Sequence, residues 1–426
     1  MAKVLTQKDA YTLINALVKQ ATGQQTITAT DVSSFISVGE KVLASGYENV
    51  LGSLSLILGR TLVASRSYKA RFAMLNALNT GVYTHRMRKI SFYADEALPS
   101  GAWNTDLYTN LAEGFTAGEN PTGTPPTPQS TKSQWEQHRK ECLEVNFAGS
   151  DVWQYAITRD RDALKQAFRG PDEFNAFVGG MLTEVANDME SQMEAFNRMT
   201  FASEVAKRYF LEANNITKGC AINLTAGFNT KFGTSYTSAQ LRSTYLKEFL
   251  AYMVSVIKTV SDRMTERGTD YHDPFTNANS QVILRHTPYD RQRIMLYTPL
   301  LRDAESLVLP EIFHPERLDI GRQFEGVEFW QSNFNDTVRP QINITSAYLD
   351  HGSGVQTTTG AITIEYLVGA IWDEDAIMTD FQLQDSDATP LEVRKKYYNI
   401  WYDFARNAIT DQTENMTIFY MADPTP

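Results

Sequence analysis

PDEFNAFVGGMLTEVANDMESQMEAFNRMT, residues 171–200, reads as one long amphipathic helix. Phe174, Phe177, Val178, Met181, Val185, Met189 and Met193 recur at three- and four-residue steps, the spacing that gathers side chains on one helical face. Pro171 suits a helix entry, where its missing amide costs nothing, and Asp172 and Glu173 complement the positive end of the helix dipole. The spacing predicts a helix from Asp172 to about Thr200, roughly 28 residues and about 42 Å long. Such a rod is long for a globular domain.

Upstream, residues 1 to about 80 read as helical pieces broken by Thr, Gly and Ser; QKDAYTLINALVKQA (7–21) is periodic and SVGEKVLASG (37–46) is a shorter candidate. GVYTHRMRKISFYADEAL (81–98) favours strand. GENPTGTPPTPQST (118–131), with four prolines and two glycines, excludes a continuing helix or a central strand. Residues 85–150 are therefore expected to form a long protruding hairpin with a flexible tip.

Downstream, a second helix is predicted from about Ser238 to Glu266, with Leu241, Tyr245, Phe249, Met253, Ile257, Val260 and Met264 on its apolar face and Gly268 just past its end. The two helices bracket an irregular link. Between about 280 and 375, QVILRH, RQRIMLYTP, GVEFWQ and TIEYLVGAIW read as short strands, interrupted by a short helix around Asp303 to Leu309. NIWYDFARNAI and ENMTIFYMA read as two last strands joined by the polar turn TDQTEN (410–415). The fold class is α+β.

Fifty acidic against 39 basic residues give a formal charge of −11, which repels nucleic-acid phosphates and disfavours a dedicated nucleic-acid binder. Two distant cysteines, Cys142 and Cys220, form no CxxC pair, which fits a reducing, cytoplasmic origin. MAKVLTQKDA has no apolar leader core, and the longest apolar stretch, Tyr366 to Trp372, is far below the ~20 residues of a spanning helix. The expectation is a protein that is neither exported nor inserted in a membrane.

Chemistry-bearing motifs are missing: there is no GxSxG elbow, no phosphate loop, no GxGxxG turn, and the six histidines show no zinc-ligand spacing. His272 and Asp273 in TDYHDPF read as a turn after a helix. HGSGVQTTTG (351–360) lacks the lysine and following helix of a phosphate cradle and reads as a surface loop. Asp373, Glu374 and Asp375 read as solvated acids that end a strand or cap a short helix, and Asp385 and Asp387, close to Pro390, as a turn. A carbohydrate-active enzyme using Asp373 or Glu374 is the minor alternative. The expectation is no catalytic residue, no metal and no cofactor.

Surface contacts are a better lead. HRMRK (85–89) alternates as a strand with one charged face, so Arg86, Arg88 and Lys89 are candidates for contact with an acidic neighbouring subunit or, equally, form a solvated strand face. Trp103, Lys132 and Trp135 lie on the predicted projection and Trp153 just after it; tryptophans on an extended element either anchor an interface or fill a local core.

Three stretches carry a family resemblance: DVWQYAITRDRDALKQAFRGPDEFNAFVGGMLTEVANDMESQMEAFNRM (151–199), RQRIMLYTPLLRDAESLVLPEIFHPERLDI (291–320) and YLVGAIWDEDAIMTDFQLQDSDATPLEVRKKYYNIWYDFARNAI (366–409). Their order and separations resemble the major capsid proteins of podovirus-like tailed phages with the Hong Kong 97 fold. The resemblance covers most of the chain after about residue 85. It implies an N-terminal arm (1–84), an extended E-loop (85–150), a peripheral domain with a long spine helix (151–210 and 376–426) and an axial domain (211–375).

The same resemblance implies self-assembly into pentamers and hexamers of an icosahedral head enclosing double-stranded DNA, with DNA touched only non-specifically. It also implies a separate scaffolding protein, because no charged coiled coil is fused at the N-terminus, a portal, and decoration or head-fibre proteins. Assembly in the bacterial host cytoplasm and residence in the virion follow. The projection is expected to lie across an adjacent subunit and the arm to reach another. An encapsulin-like compartment shell is the alternative of the same fold.

Overall fold

The computed structural model describes residues 7–22, 28–44, 75–78, 86–94, 140–148, 151–160, 170–277, 281–308, 323–350, 356–390, 392–395 and 397–423. The chain begins with helices α1 (Gln7–Thr22) and α2 (Val32–Ala44), then strands β1 (Asn76–Leu78), β2 (Arg86–Phe92), β3 (Cys142–Ala148) and β4 (Asp151–Asp160). The long helix α3 (Pro171–Ala213) follows, then β5 (Ala221–Asn223), α4 (Leu224–Phe232), α5 (Ser238–Leu241) and α6 (Leu246–Arg263). Next come β6 (Gln292–Tyr297), α7 (Thr298–Val308), β7 (Gln323–Val327), β8 (Ile342–Ile344), β9 (Tyr348–Asp350), β10 (Gln356–Thr358) and β11 (Ile362–Ile364). The last strands are β12 (Tyr366–Asp373), β13 (Ile377–Ala388), β14 (Tyr397–Thr410) and β15 (Met416–Met421).

Two larger sheets organise these elements. One has the order β1-β13-β14-β4, with β1 parallel to β13 and the rest antiparallel. The other has the order β5-β15-β12-β6-β7, with parallel pairs at both edges. Strands β14 and β15, adjacent in sequence, therefore lie in different sheets, and the polar turn TDQTEN passes from one sheet to the other. Residues 416–421 accordingly join the sheet of the segment read as axial, not the sheet of 151–160.

Helix α3 has 43 residues, about 64 Å at the usual rise, and so extends well past Thr200. The reason lies in its second half, where Phe201, Ala202, Val205, Ala206 and Leu211 are buried together with Glu204, Lys207 and Arg208. A helix surrounded by protein loses the two-sided pattern by which its first half is recognised. At its N-terminal end Pro171 occupies the first turn, and at its C-terminal end the Asn214 amide donates to the Phe210 carbonyl.

The predicted second helix is broken in two. Thr237 and Gln240 form a reciprocal capping box that starts α5, and the amides of Arg242, Ser243 and Thr244 turn back onto Ser238 and Gln240 before α6 begins. Tyr245 stacks on Tyr236 with ring centroids 4.0 Å apart, which fixes the turn. The link after α3 also holds a short strand and α4, where Asn223 caps the first turn by accepting from Thr225 and Ala226.

Three further expectations change. QVILRH forms no strand but a bent segment touching neighbours by single bridges at Val282 and Arg285. LQDSDA (383–388) belongs to β13, which pairs with β14 as far as Ala388, so Pro390 follows the strand end instead of making a turn at Asp385. The helix placed near Asp303 starts at Thr298.

The main core lies where α3, α4, α6 and the five-stranded sheet meet. Phe201 sits between Trp330, at 5.3 Å and nearly parallel, and Trp372, at 5.7 Å, and the Trp330 indole donates to the Leu367 carbonyl at 2.9 Å. The middle of α3 packs against the four-stranded sheet: Arg406 of β14 donates to the Gln192 carbonyl at 3.3 Å and stacks over Phe196 at 4.0 Å and over Trp153 at 4.6 Å. At the start of α3, Phe174 meets Phe35 of α2, which meets Tyr11 of α1. The N-terminal helices, expected to reach another subunit, pack here on α3 of their own chain, because Ile14, Leu17, Phe35 and Val38 are buried on it and on each other.

Candidate functional site

Strands β2 and β3 pair from Arg86–Ala148 to Phe92–Cys142 as an antiparallel ribbon, the base of the predicted projection. The segment 118–131 that would form its tip lies outside the described residues, as do Trp103, Lys132 and Trp135. Period-two alternation gives the ribbon two faces. Outward stand Arg88, Ile90 and Phe92, with Cys142, Glu144 and Asn146 opposite; Ile90 is 46% and Phe92 60% exposed. Arg88 pairs with Glu144 at 3.0 Å on this face, a solvent-screened contact that sets orientation more than energy.

Inward stand Lys89, Ser91 and Tyr93, and they root the ribbon in the molecule. The Lys89 ammonium donates to Asp411 and, at 2.5 Å, to Glu414. Arg285 donates to Ser91 Oγ at 2.6 Å and to the Thr413 carbonyl at 3.0 Å, and lies 3.3 Å from Glu414. Tyr93 packs with Phe275, Ile283 and Leu143, and the Ala94 amide donates to the Val282 carbonyl at 2.9 Å. The acidic group that Lys89 meets is thus in its own chain. Arg86 lies in β2, the Arg88 ion pair is internal, and Trp153 lies beneath Arg406.

The acids of this root sit in the linker 411–415, between β14 of one sheet and β15 of the other. Asp411, Thr413, Glu414 and Asn415 are all buried. Asp411 Oδ1 accepts from the Thr413 amide and hydroxyl at 2.8 and 2.7 Å, and Arg208 of α3 donates to the Asp411 carbonyl at 2.9 Å. The linker is tied on its other side to the 269–275 loop: the Asp273 amide donates to Gln412 and the Met416 amide to Tyr271, each at 2.8 Å. Tyr271 and Phe275 take left-handed backbone, with φ of 70° and 37°, a strained conformation for bulky residues that tertiary contacts must hold.

One lysine serving two carboxylates splits their acidities. Burial pushes Asp411 up, but Lys89 and the Thr413 bonds more than offset it and hold the carboxyl below its ordinary range. Burial pushes Glu414 up, and Lys89 and Arg285 oppose this without cancelling it. Burial also works against the Lys89 charge, yet Asp411 and Glu414 outweigh it and raise the lysine. His272 is fully buried, its Nδ1 3.1 Å from both the Asp270 carbonyl and Asn415 Oδ1 and its Nε2 3.0 Å from the Ile283 carbonyl. Three acceptor oxygens would suit the imidazolium, but burial dominates and lowers its pKa, with Arg208 and Arg285 adding repulsion.

The acids at 373–375 and the Cys220 thiol are held within the fold. Asp373 is buried rather than solvated; with Glu374 and Asp375 it turns β12 into β13 and pairs with Arg291, while Glu374 also pairs with Arg293. Burial pushes the Cys220 thiol up, away from a nucleophilic thiolate. Residues 351–355 of the glycine-rich loop lie outside the described residues, and 356–358 pair with β9. Among the described residues no group of three or more His, Cys, Asp or Glu could hold a metal ion, and no helix is long and apolar enough to cross a membrane. Sequence reading missed Asp411, Glu414, Arg285 and Ser91 as a set; the available signal was two acids in a polar turn between strongly apolar strands.

No family model matches the chain, and no curated protein matches it. Among solved structures, the capsid structure of Staphylococcus phage Andhra is similar over 81% of this chain and 83% of that one, at 10% identity and a TM-score of 0.49. The asymmetric unit of the bacteriophage PhiM1 mature capsid is similar over 84% and 89%, at 7% identity and a TM-score of 0.41. The capsid structure of the Cyanophage P-SCSP1u is similar over 82% and 87%, at 10% identity and a TM-score of 0.40.

Proposed function

We propose that this chain is the major capsid protein of a tailed phage, a shell subunit of the Hong Kong 97 fold without catalysis of its own. The observation that carries the reading is a 43-residue helix that passes from the four-stranded sheet into the main core, beside a ribbon rooted on the linker between the two sheets. A beam, two packed units and a projection are what a wall element needs. The three sequence stretches that resemble capsid proteins add independent support.

In this reading 85–150 is the E-loop, 151–210 with 376–410 the peripheral domain, and 211–375 with 416–421 the axial domain. One chain occupies pentamers and hexamers, so its contacts tolerate small changes of angle between neighbours. The ribbon's outward face lies on the adjacent subunit, with Ile90 and Phe92 as apolar anchors, and Arg86, Trp103, Lys132 and Trp135 extend that contact. The net charge of −11 keeps the wall from binding the DNA it encloses, which is touched only non-specifically. A separate scaffolding protein, a portal and decoration or head-fibre proteins complete the particle, which assembles in the bacterial cytoplasm.

Native mass spectrometry of the full chain tests the reading. Rings of five and six copies are expected, and the double variant Ile90→Ser/Phe92→Ser is expected to stay folded as a monomer. Rings that form unchanged in the double variant would remove the ribbon face from the contact.

A further inference from the structure

The root of the ribbon and the passage between the sheets are the same few residues. Lys89 and Ser91 belong to β2, while the groups that hold them, Asp411, Glu414 and the Arg285–Thr413 pair, belong to or grip the 411–415 linker. A two-stranded ribbon is at best marginally stable alone, so its direction is set where it is anchored. The linker in turn fixes β15 against β14: its ends are held by Ala376, through the Asp411 amide at 2.9 Å, and by Asp373, whose amide donates to Asn415 at 2.9 Å. Arg208 ties the same linker to α3.

We infer that Lys89 is a latch coupling the direction of the β2–β3 ribbon to the relative orientation of the two sheets through the 411–415 linker. If the sheets rotate, the linker moves and carries Asp411 and Glu414 with it, so the ribbon swings or the latch opens. Conversely, a force on the ribbon reaches the linker through Lys89, beside the path along the chain from β3 into β4 of the four-stranded sheet. Lys89 suits this role because its ammonium can exchange between two acceptors without unpairing, whereas the Arg285 fork is fixed on Ser91 and Thr413. The coupling holds whether or not the chain builds a shell, so it stands or falls separately from the capsid reading.

Hydrogen exchange on the full chain in solution tests it. Lys89→Met, which keeps length and removes charge, is expected to speed exchange about tenfold both in the ribbon (86–94 and 142–148) and in 411–416, with β12 unchanged and Lys89→Arg restoring most of the protection. Phe92→Ser, on the opposite face, is expected to loosen the ribbon alone. Should Lys89→Met misfold, Thr413→Val provides the reciprocal measurement: its hydroxyl bonds to Asp411 and Arg285, and its loss is expected to speed exchange in the ribbon. Faster exchange confined to the ribbon in Lys89→Met, or a ribbon unmoved by Thr413→Val, would overturn the coupling.

Discussion

Asp411 and Glu414 share one lysine, and their different surroundings give them different consequences on substitution. Asp411 is held ionised by Lys89 and by two bonds from Thr413, so its contribution is present above its ordinary pKa and is lost as pH falls through its lowered folded value. Asp411→Asn is expected to cost about 2–4 kcal/mol at pH 7, because it leaves Lys89 short of its stronger partner. Glu414 is raised by burial, so its charge opposes the fold at neutral pH, and Glu414→Gln is expected to cost less than about 1 kcal/mol in the same denaturant titration. Equal losses in the two variants would refute the asymmetry. His272 adds a separate pH dependence. Its folded pKa lies below its ordinary 6.5, so its contribution is full above that value and falls away as pH drops below it. Stability is expected to decline from pH 7 to pH 5.5, and His272→Gln to flatten that decline; an unchanged slope would show that other groups cause it. His272 is legible in the sequence as part of a turn, and its burial is not, since nothing in TDYHDPF announces that Asn415 and Ile283 will close over it.

At the scale of elements, packing decides how far a pattern can be read. The first half of α3 is amphipathic and legible from Phe174 to Met193, whereas the second half, with Glu204, Lys207 and Arg208 inside the protein, looks from sequence like the end of a helix. The 238–266 periodicity survives a break at Arg242–Tyr245, because the turn keeps Leu241 and Phe249 on one core. Single strands such as Gln292–Tyr297 are legible; their sheet partners are not, since pairing depends on contacts between distant segments. Two substitutions test the core that results. Phe201→Ala removes the ring between Trp330 and Trp372 and is expected to cost about 3–5 kcal/mol, measured by denaturant titration; a loss below about 1 kcal/mol would mean the tryptophans are held otherwise. Gly369 lies where β12 meets β6, and a Cβ there would come within 2.4 Å of the Met295 carbonyl oxygen and of the Leu296 side chain. Gly369→Ala is expected to destabilise by about 2–4 kcal/mol, since the backbone atom cannot move aside, and a neutral substitution would contradict the tight register.

For the whole molecule, the long helix after residue 171 and the strands at 292–297, 366–373 and 416–421 are where the sequence places them, and the departures share one cause. The sequence shows which segments are helix or strand, but the joining of β15 to the five-stranded sheet, of Lys89 to Asp411, and of α1 and α2 to their own α3 is set by long-range packing. Those same contacts give the chain a beam about 64 Å long, two sheets linked through a buried polar node, and a ribbon with Ile90 and Phe92 on its outward face. We propose that many copies of this chain close into a shell. Electron microscopy of the expressed full chain, alone and with a candidate scaffolding protein, tests it most directly. Closed shells, or rings of five and six copies, are predicted; a strictly monomeric protein under every condition, with no rings, sheets or shells, would contradict the account.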